Sequence, residues 1–126
     1  MVLLLKNLQT ARQELKREKE RIANITETLA NCNKITERTT KLEEKREKAI
    51  LKIEALEALS RQKWHKIEAE LLENEVHHLD ISAIRKHFFE LKSWNEIEGC
   101  CNKNGDATRK RINRLAEALV VIPGEL

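Results

Sequence analysis

The stretch Leu8–Cys32, LQTARQELKREKERIANITETLANC, decides the fold. Leu8, Leu15, Ile22 and Leu29 recur every seven residues, Ala11, Ile25 and Cys32 fall on the companion d positions, and Glu18 is the one misfit. A leucine or isoleucine at each heptad makes a narrow apolar seam, and a seam asks for a second helix to cover it. The residues between are Lys, Arg, Glu, Gln and Asn, which solvate the rest of the helix surface.

Composition extends this reading to most of the chain. The 126 residues include 3 glycines and 1 proline, at Gly99, Gly105, Pro123 and Gly124, so the first 98 residues hold neither. Sheet corners, bulges and tight turns lean on those two residue types, which argues against a sandwich, barrel or doubly wound sheet. Charged residues make up 36% and aromatics 3%, with no tyrosine, which suits long helices burying a narrow stripe.

Beyond the first zipper, Asn31, Asn33, Thr36, Thr39 and Thr40 are poor helix formers and predict a break over 33–40. Thr40-Lys41-Leu42-Glu43 reads as a capping box restarting the helix. A second apolar stripe follows: Leu42, Ala49, Ile53, Leu56, Ser60, Trp64, Ile67 and Leu71 advance by threes, fours and sevens. His77-His78-Leu79-Asp80 marks a second interruption, with Asp80 or Ser82 as the next N-cap.

A shorter helix ending near Glu98 then carries Ile81, Ile84, Phe88, Leu91 and Trp94, widened by Phe89 and Ile97. After a loop over 99–105, Asp106 is expected to cap a last helix bearing Ile112, Leu115, Ala116 and Leu119, stopped by Pro123-Gly124. The expected fold is therefore all-α: an elongated segmented coiled coil with kinks, ending in two short packed helices. Its parts are a first coiled-coil segment (1–35), a second (41–79) and a C-terminal helical head (80–126).

The seam residues Leu8, Leu15, Ile22, Ile25, Leu29, Leu42, Ile53, Leu56, Ile67 and Leu71 are expected to face a partner helix. Ile84, Phe88, Leu91, Trp94, Ile112, Leu115 and Leu119 are expected to pack the head. A hairpin closed at 33–40 is the alternative, disfavoured because neither Gly nor Pro is there to make a tight reversal.

Net charge is +3, distributed as +3 over residues 1–40, −2 over 41–80 and +2 over 81–126. The densest basic run is Arg109-Lys110-Arg111 with Arg114; together with Lys103 it places five cations against Asp106 alone. That cluster is the candidate contact for DNA or an acidic partner. Arg12, Lys16, Arg17, Lys19 and Arg21 form a similar run diluted by glutamates, and this reads as a solvated face.

Three cysteines, Cys32, Cys100 and Cys101, make no disulfide framework. Cys100 and Cys101 with His77 and His78 lack C-x-x-C or H-x-x-x-H spacing, so no metal or other cofactor is expected. No Gly-rich phosphate loop, nucleophile elbow or carboxylate pair points to catalysis, and the expectation is a non-enzyme. The apolar run Val2–Leu5 ends at Lys6, too short for a signal-peptide core or a membrane span.

Two stretches, Thr36-Glu37-Arg38-Thr39 and Phe89-Glu90-Leu91-Lys92-Ser93-Trp94, together with the terminal Ile122-Pro123 and the order of zippers and breaks, resemble the meiotic nuclear division protein family. That family supplies the Mnd subunit of the Hop–Mnd homologous-pairing complex, and the sister Hop subunit has a similar layout. The resemblance implies a nuclear, rod-shaped heterodimer with a Hop-like coiled-coil subunit. It further implies a C-terminal head, around Lys92–Trp94, that engages a RecA-family recombinase filament and assists DNA strand exchange in meiosis. Family members carry an N-terminal winged-helix domain, to which no residues of this sequence correspond. The alternative function is a structural or tethering coiled coil, or a helical-hairpin interaction protein, without a DNA role.

Overall fold

The computed structural model describes residues 1–32, 36–97 and 104–119. It is all-α, with no strand among the described residues: α1 Val2–Ala30, α2 Glu37–Glu73, α3 His78–Ile84 running into a π-helical turn Arg85–Phe89, and α4 Gly105–Ala118. Two long helices, a break, and shorter packed helices are the elements the heptads and their interruptions predict. None of the helices among the described residues is long and apolar enough to cross a membrane.

The second zipper does not continue the direction of the first. α2 folds back along α1 as an antiparallel hairpin, the arrangement expected less than the kinked rod. The cross-helix contacts give the sense: Arg12 meets Ser60, Lys19 meets Glu57, and Lys52 meets Glu14 and Glu18. Six residues separate the two helices, a length within the usual range for connections between antiparallel helices. The missing glycine and proline are therefore no obstacle.

The seam closes within the chain. Leu8 and Leu71 are fully buried, and Leu5, Leu15, Trp64 and Ile67 are 1–2% exposed. Each such side chain withdrawn from water stabilises the fold by roughly 1.5–3 kcal/mol. Ile22, Leu29, Leu42, Ile53 and Leu56 are half-buried farther along the hairpin, and Ile25 and Ala49 are buried there. Cys32, expected on the seam, is exposed, because α1 has already ended at Ala30.

The head packs on the open end of the hairpin, not on its tip. Met1, Leu5, Leu8, Trp64, Ile67 and Leu71 share one core with Ala83, Ile84, Phe89, Ile97, Ile112 and Ala116. Ile84 and Ile112 are fully buried, while Phe88, Trp94, Leu115 and Leu119 pack half-buried against this core. Leu91 is half-buried outside it.

Helix starts differ from expectation in each case for a local reason. The capping box closes between Thr36 and Thr39, whose hydroxyls accept from each other's amides at 3.4 and 2.8 Å, so α2 begins one turn before Thr40. His77 caps α3, its Nδ1 accepting from the Leu79 amide at 3.2 Å, because the carboxylate of Asp80 is committed elsewhere. Asn104, not Asp106, caps α4, accepting from the Ala107 amide at 2.8 Å. The helix expected to reach Glu98 stops early: it widens into the π-turn and gives way to a non-helical strap at 91–93 and a turn at 94–97.

Gly105, expected as a loop residue, is the buried first residue of α4. A Cβ there would lie 2.8 Å from the Trp94 carbonyl oxygen and 2.9 Å from its carbon. Backbone cannot yield as a flexible side chain does, so Gly105→Ala is expected to cost roughly 1–3 kcal/mol, from overpacking. Urea unfolding checks this; a stability equal to the parent's would mean that α4 docks elsewhere.

Candidate functional site

The run Arg12–Arg21, expected to be solvated throughout, divides by helix face into three roles. Arg12 turns inward. Its Nε donates to the Phe89 carbonyl at 2.9 Å, one terminal nitrogen donates to Ser60 Oγ at 3.2 Å, and its guanidinium carbon lies 4.0 Å from the Phe89 ring centre. Burial lowers its pKa, and the charge of Glu57 works against that shift. One side chain therefore ties α1, α2 and the π-turn together.

Lys19, on the α2 side, pairs with Glu57 at 3.5 Å. Glu18, the seam misfit, faces Lys52 at 3.3 Å with its side chain 12% exposed, and Glu14 adds a second bond to the same ammonium at 3.1 Å. These two carboxylates raise the Lys52 pKa. Arg12–Ser60 and Glu18–Lys52 are matched across the two helices in this antiparallel register.

Lys16 and Arg17 point to neither of those places. Gln9, Gln13, Lys16, Arg17 and Glu20 follow one face of α1 and line an open cleft of about 580 Å³, closed opposite by His87, Leu91, Lys92 and Ser93. Lys16 also borders a neighbouring cleft of about 230 Å³, with Arg12, Lys19, Phe89 and Leu91. Lys16 and Arg17 make no ion pair among the described residues.

The far wall of the larger cleft is unusual backbone. The Glu90 amide donates to the Arg85 carbonyl at 3.0 Å, closing the wide π-turn, and the Lys92 amide donates to the Lys86 carbonyl at 2.9 Å. Leu91 adopts φ 59°, a left-handed conformation that costs a branched residue about 1–2 kcal/mol. Reciprocal bonds between Ser93 and Glu96, at 2.8 and 3.3 Å, hold the next turn.

His87 stacks on Trp94 with ring centres 3.8 Å apart and meets Phe88 edge-on at 4.8 Å. Its Nδ1 lies 2.8 Å from the Lys92 carbonyl oxygen. A carbonyl only accepts, so Nδ1 carries the proton and Nε2 holds the lone pair of the neutral ring. Burial lowers the His87 pKa, with the bond to Lys92 opposing the shift.

The C-terminal cluster is less free than its sequence suggests. Arg111 grips Asp80 with two bonds of 2.9 Å, Arg109 binds Asp106 at 2.7 Å, and Lys110 binds the same carboxylate at 3.1 Å. The bonds from Arg109 and Lys110 lower the Asp106 pKa. Lys110, Arg111 and Arg114 share one shallow exposed cleft with Ala107, while Lys103 lies outside the described residues.

Trp64 is buried against Phe89, ring centres 6.1 Å apart. His77 and His78 stack on one another at 4.3 Å, and Cys100 and Cys101 lie outside the described residues. Among the described residues no three His, Cys, Asp or Glu side chains come together as metal ligands would.

The sequence places Arg12, Lys16 and Arg17 in one run but does not connect them with His87. The visible signal was a charge run beside a seam, and only the position of the head separates its members. No protein-family model, curated protein or solved structure matches this chain.

Proposed function

We propose that the chain is a non-catalytic interaction module: a helical hairpin closed on itself, carrying a folded head on its open end and presenting the cleft between them to a partner. The observation that supports it is the use of the seam. Leu8, Leu15, Ile67 and Leu71 are 0–2% exposed within a single chain, so a partner must be engaged through another surface. The heterodimeric recombination role implied by the family resemblance asks these same residues to face a second, Hop-like chain. That role needs α1 and α2 to part and Arg12 to leave Ser60 and Phe89, so the geometry favours the self-closed module.

Spin labels at the exposed residues Thr10 and Gln62 test the reading in solution. Helix axes in contact are about 8–10 Å apart, so a hairpin is expected to place the labels within about 25 Å. A continuous rod at about 1.5 Å per residue would separate them by about 80 Å. A sedimentation mass of one chain is expected alongside the short distance, and a long distance would overturn the proposal.

A further inference from the structure

The cleft between α1 and the 87–93 strap brings together three observations of different kinds. Its wall carries strained backbone, a π-turn followed by Leu91 at φ 59°. Such features persist where the surroundings impose them and cluster at binding sites. Here the imposing contact is Arg12, which holds the Phe89 carbonyl at 2.9 Å.

Its lining is also rich in donors: the ammonium groups of Lys16 and Lys92, the guanidinium of Arg17, the amides of Gln9 and Gln13, and the hydroxyl of Ser93, against Glu20 alone. Two of those cations are unspent. Lys16 and Arg17 reach no carboxylate among the described residues, and Lys92 reaches Glu90 at 3.7 Å.

We propose that this cleft binds the phosphate groups of a single-stranded nucleic acid. Each phosphodiester carries one charge on two non-bridging oxygens, and a strand repeats it along its length, so cations spread along the cleft meet successive phosphates. Openness along one side admits a chain passing through, where a small molecule would need enclosure. The imidazole of His87 on the wall, backed by Trp94 at 3.8 Å, adds a rigid aromatic surface beside the cations. Cationic grooves flanked by aromatic rings are how sequence-tolerant strand binders work. Gln9, Gln13 and Glu20 offer both donors and an acceptor to base edges. The proposal rests on the reading of the chain as a self-closed binding module. The spin-label distance tests that reading, and binding tests this one, so either can fail alone.

The experiment is fluorescence anisotropy of the full chain with a labelled oligothymidine of about 15 nucleotides. The triple variant Lys16→Ala/Arg17→Ala/Lys92→Ala is expected to bind at least about tenfold more weakly, with the salt slope reduced by about 2 as three contacts at about 0.7 each are lost. Lys110→Ala/Arg114→Ala on α4 is expected to bind as the parent does. Because all three cleft cations are exposed, the melting temperature is expected to hold; should it fall, the single reversal Lys16→Glu, weakening binding in a chain that melts normally, supports the proposal equally. Binding within about twofold of the parent by both cleft variants overturns it. So does an equal loss in the α4 variant, equally tight binding of polyglutamate, of a single nucleotide or of phosphatidylserine vesicles.

Discussion

Trp64→Ala is expected to destabilise the protein by roughly 3–5 kcal/mol, the range for truncating a buried aromatic. For a chain of this size that lowers the thermal midpoint by roughly 10–20 °C. Trp64 is 2% exposed and sits where the two parts of the molecule meet. It shares the core with Leu8, Ile67 and Leu71 of the hairpin and faces Phe89 of the π-turn at 6.1 Å. Removing the indole empties the joint and not merely one layer of the seam. Arg12, whose guanidinium carbon lies 4.0 Å from the far partner of that ring pair, loses its support as well.

The sequence holds two tryptophans, so the variant leaves Trp94 as the single indole reporter of the head. Its emission is expected to shift red at a lower urea concentration than the helical signal is lost, because the head detaches before the hairpin melts. Leu51→Ala is the control: that side chain is 66% exposed and its loss is expected to change stability by less than about 0.5 kcal/mol. A Trp64→Ala cost below about 1 kcal/mol would mean that hairpin and head do not share a core.

Spacing made the helices legible, and chemistry at single positions decided how they meet. The heptads from Leu8 to Leu29 and the steps from Leu42 to Leu71 fall on buried or half-buried positions, since an apolar period is a property of one helix. Direction is a property of two helices. It rests on Arg12 finding Ser60 and Glu18 finding Lys52, partners 48 and 34 residues apart that no local pattern connects. Glu18 was visible as a misfit, and a charged residue in a seam is a request for a partner on the facing helix. Ser60, fully buried in the second stripe, was the matching request.

The head was harder to read because its backbone departs from regular helix. A π-turn inserts one extra residue per turn and rotates everything after it. Phe89 and Ile97 consequently take the buried places that an ideal helix would give to Leu91 and Trp94. A charge run does not show which of its cations are paired: among the described residues Lys16 and Arg17 of the run at 12–21 make no ion pair, whereas three cations of the run at 109–114 are engaged by carboxylates.

Arg111→Ala is the second variant expected to have a large effect, and its sign pattern separates structure from binding. Asp80 is buried, its side chain 4% exposed, and Arg111 meets both its oxygens at 2.9 Å across the gap between α3 and α4. Removing the guanidinium leaves a carboxylate in a place water reaches poorly. Stranding a buried charge costs roughly 3–5 kcal/mol, and the lower end applies because the Arg111 side chain is 48% exposed and the site is near the surface. Asp80→Ala is expected to cost less, since the half-exposed guanidinium returns to water. The double variant Asp80→Ala/Arg111→Ala is then expected to be more stable than Arg111→Ala alone, a reversal that only an interacting pair gives. Equal and additive losses in urea unfolding would show that the two groups act independently. Arg111 belongs to the cluster whose sequence suggests a polyanion contact, and its truncation weakens α4 docking whatever the helix surface binds. Loss of binding in that variant therefore carries no information about contact, and Lys110 and Arg114, exposed on the same face, are the positions at which the surface can be tested without unfolding the head.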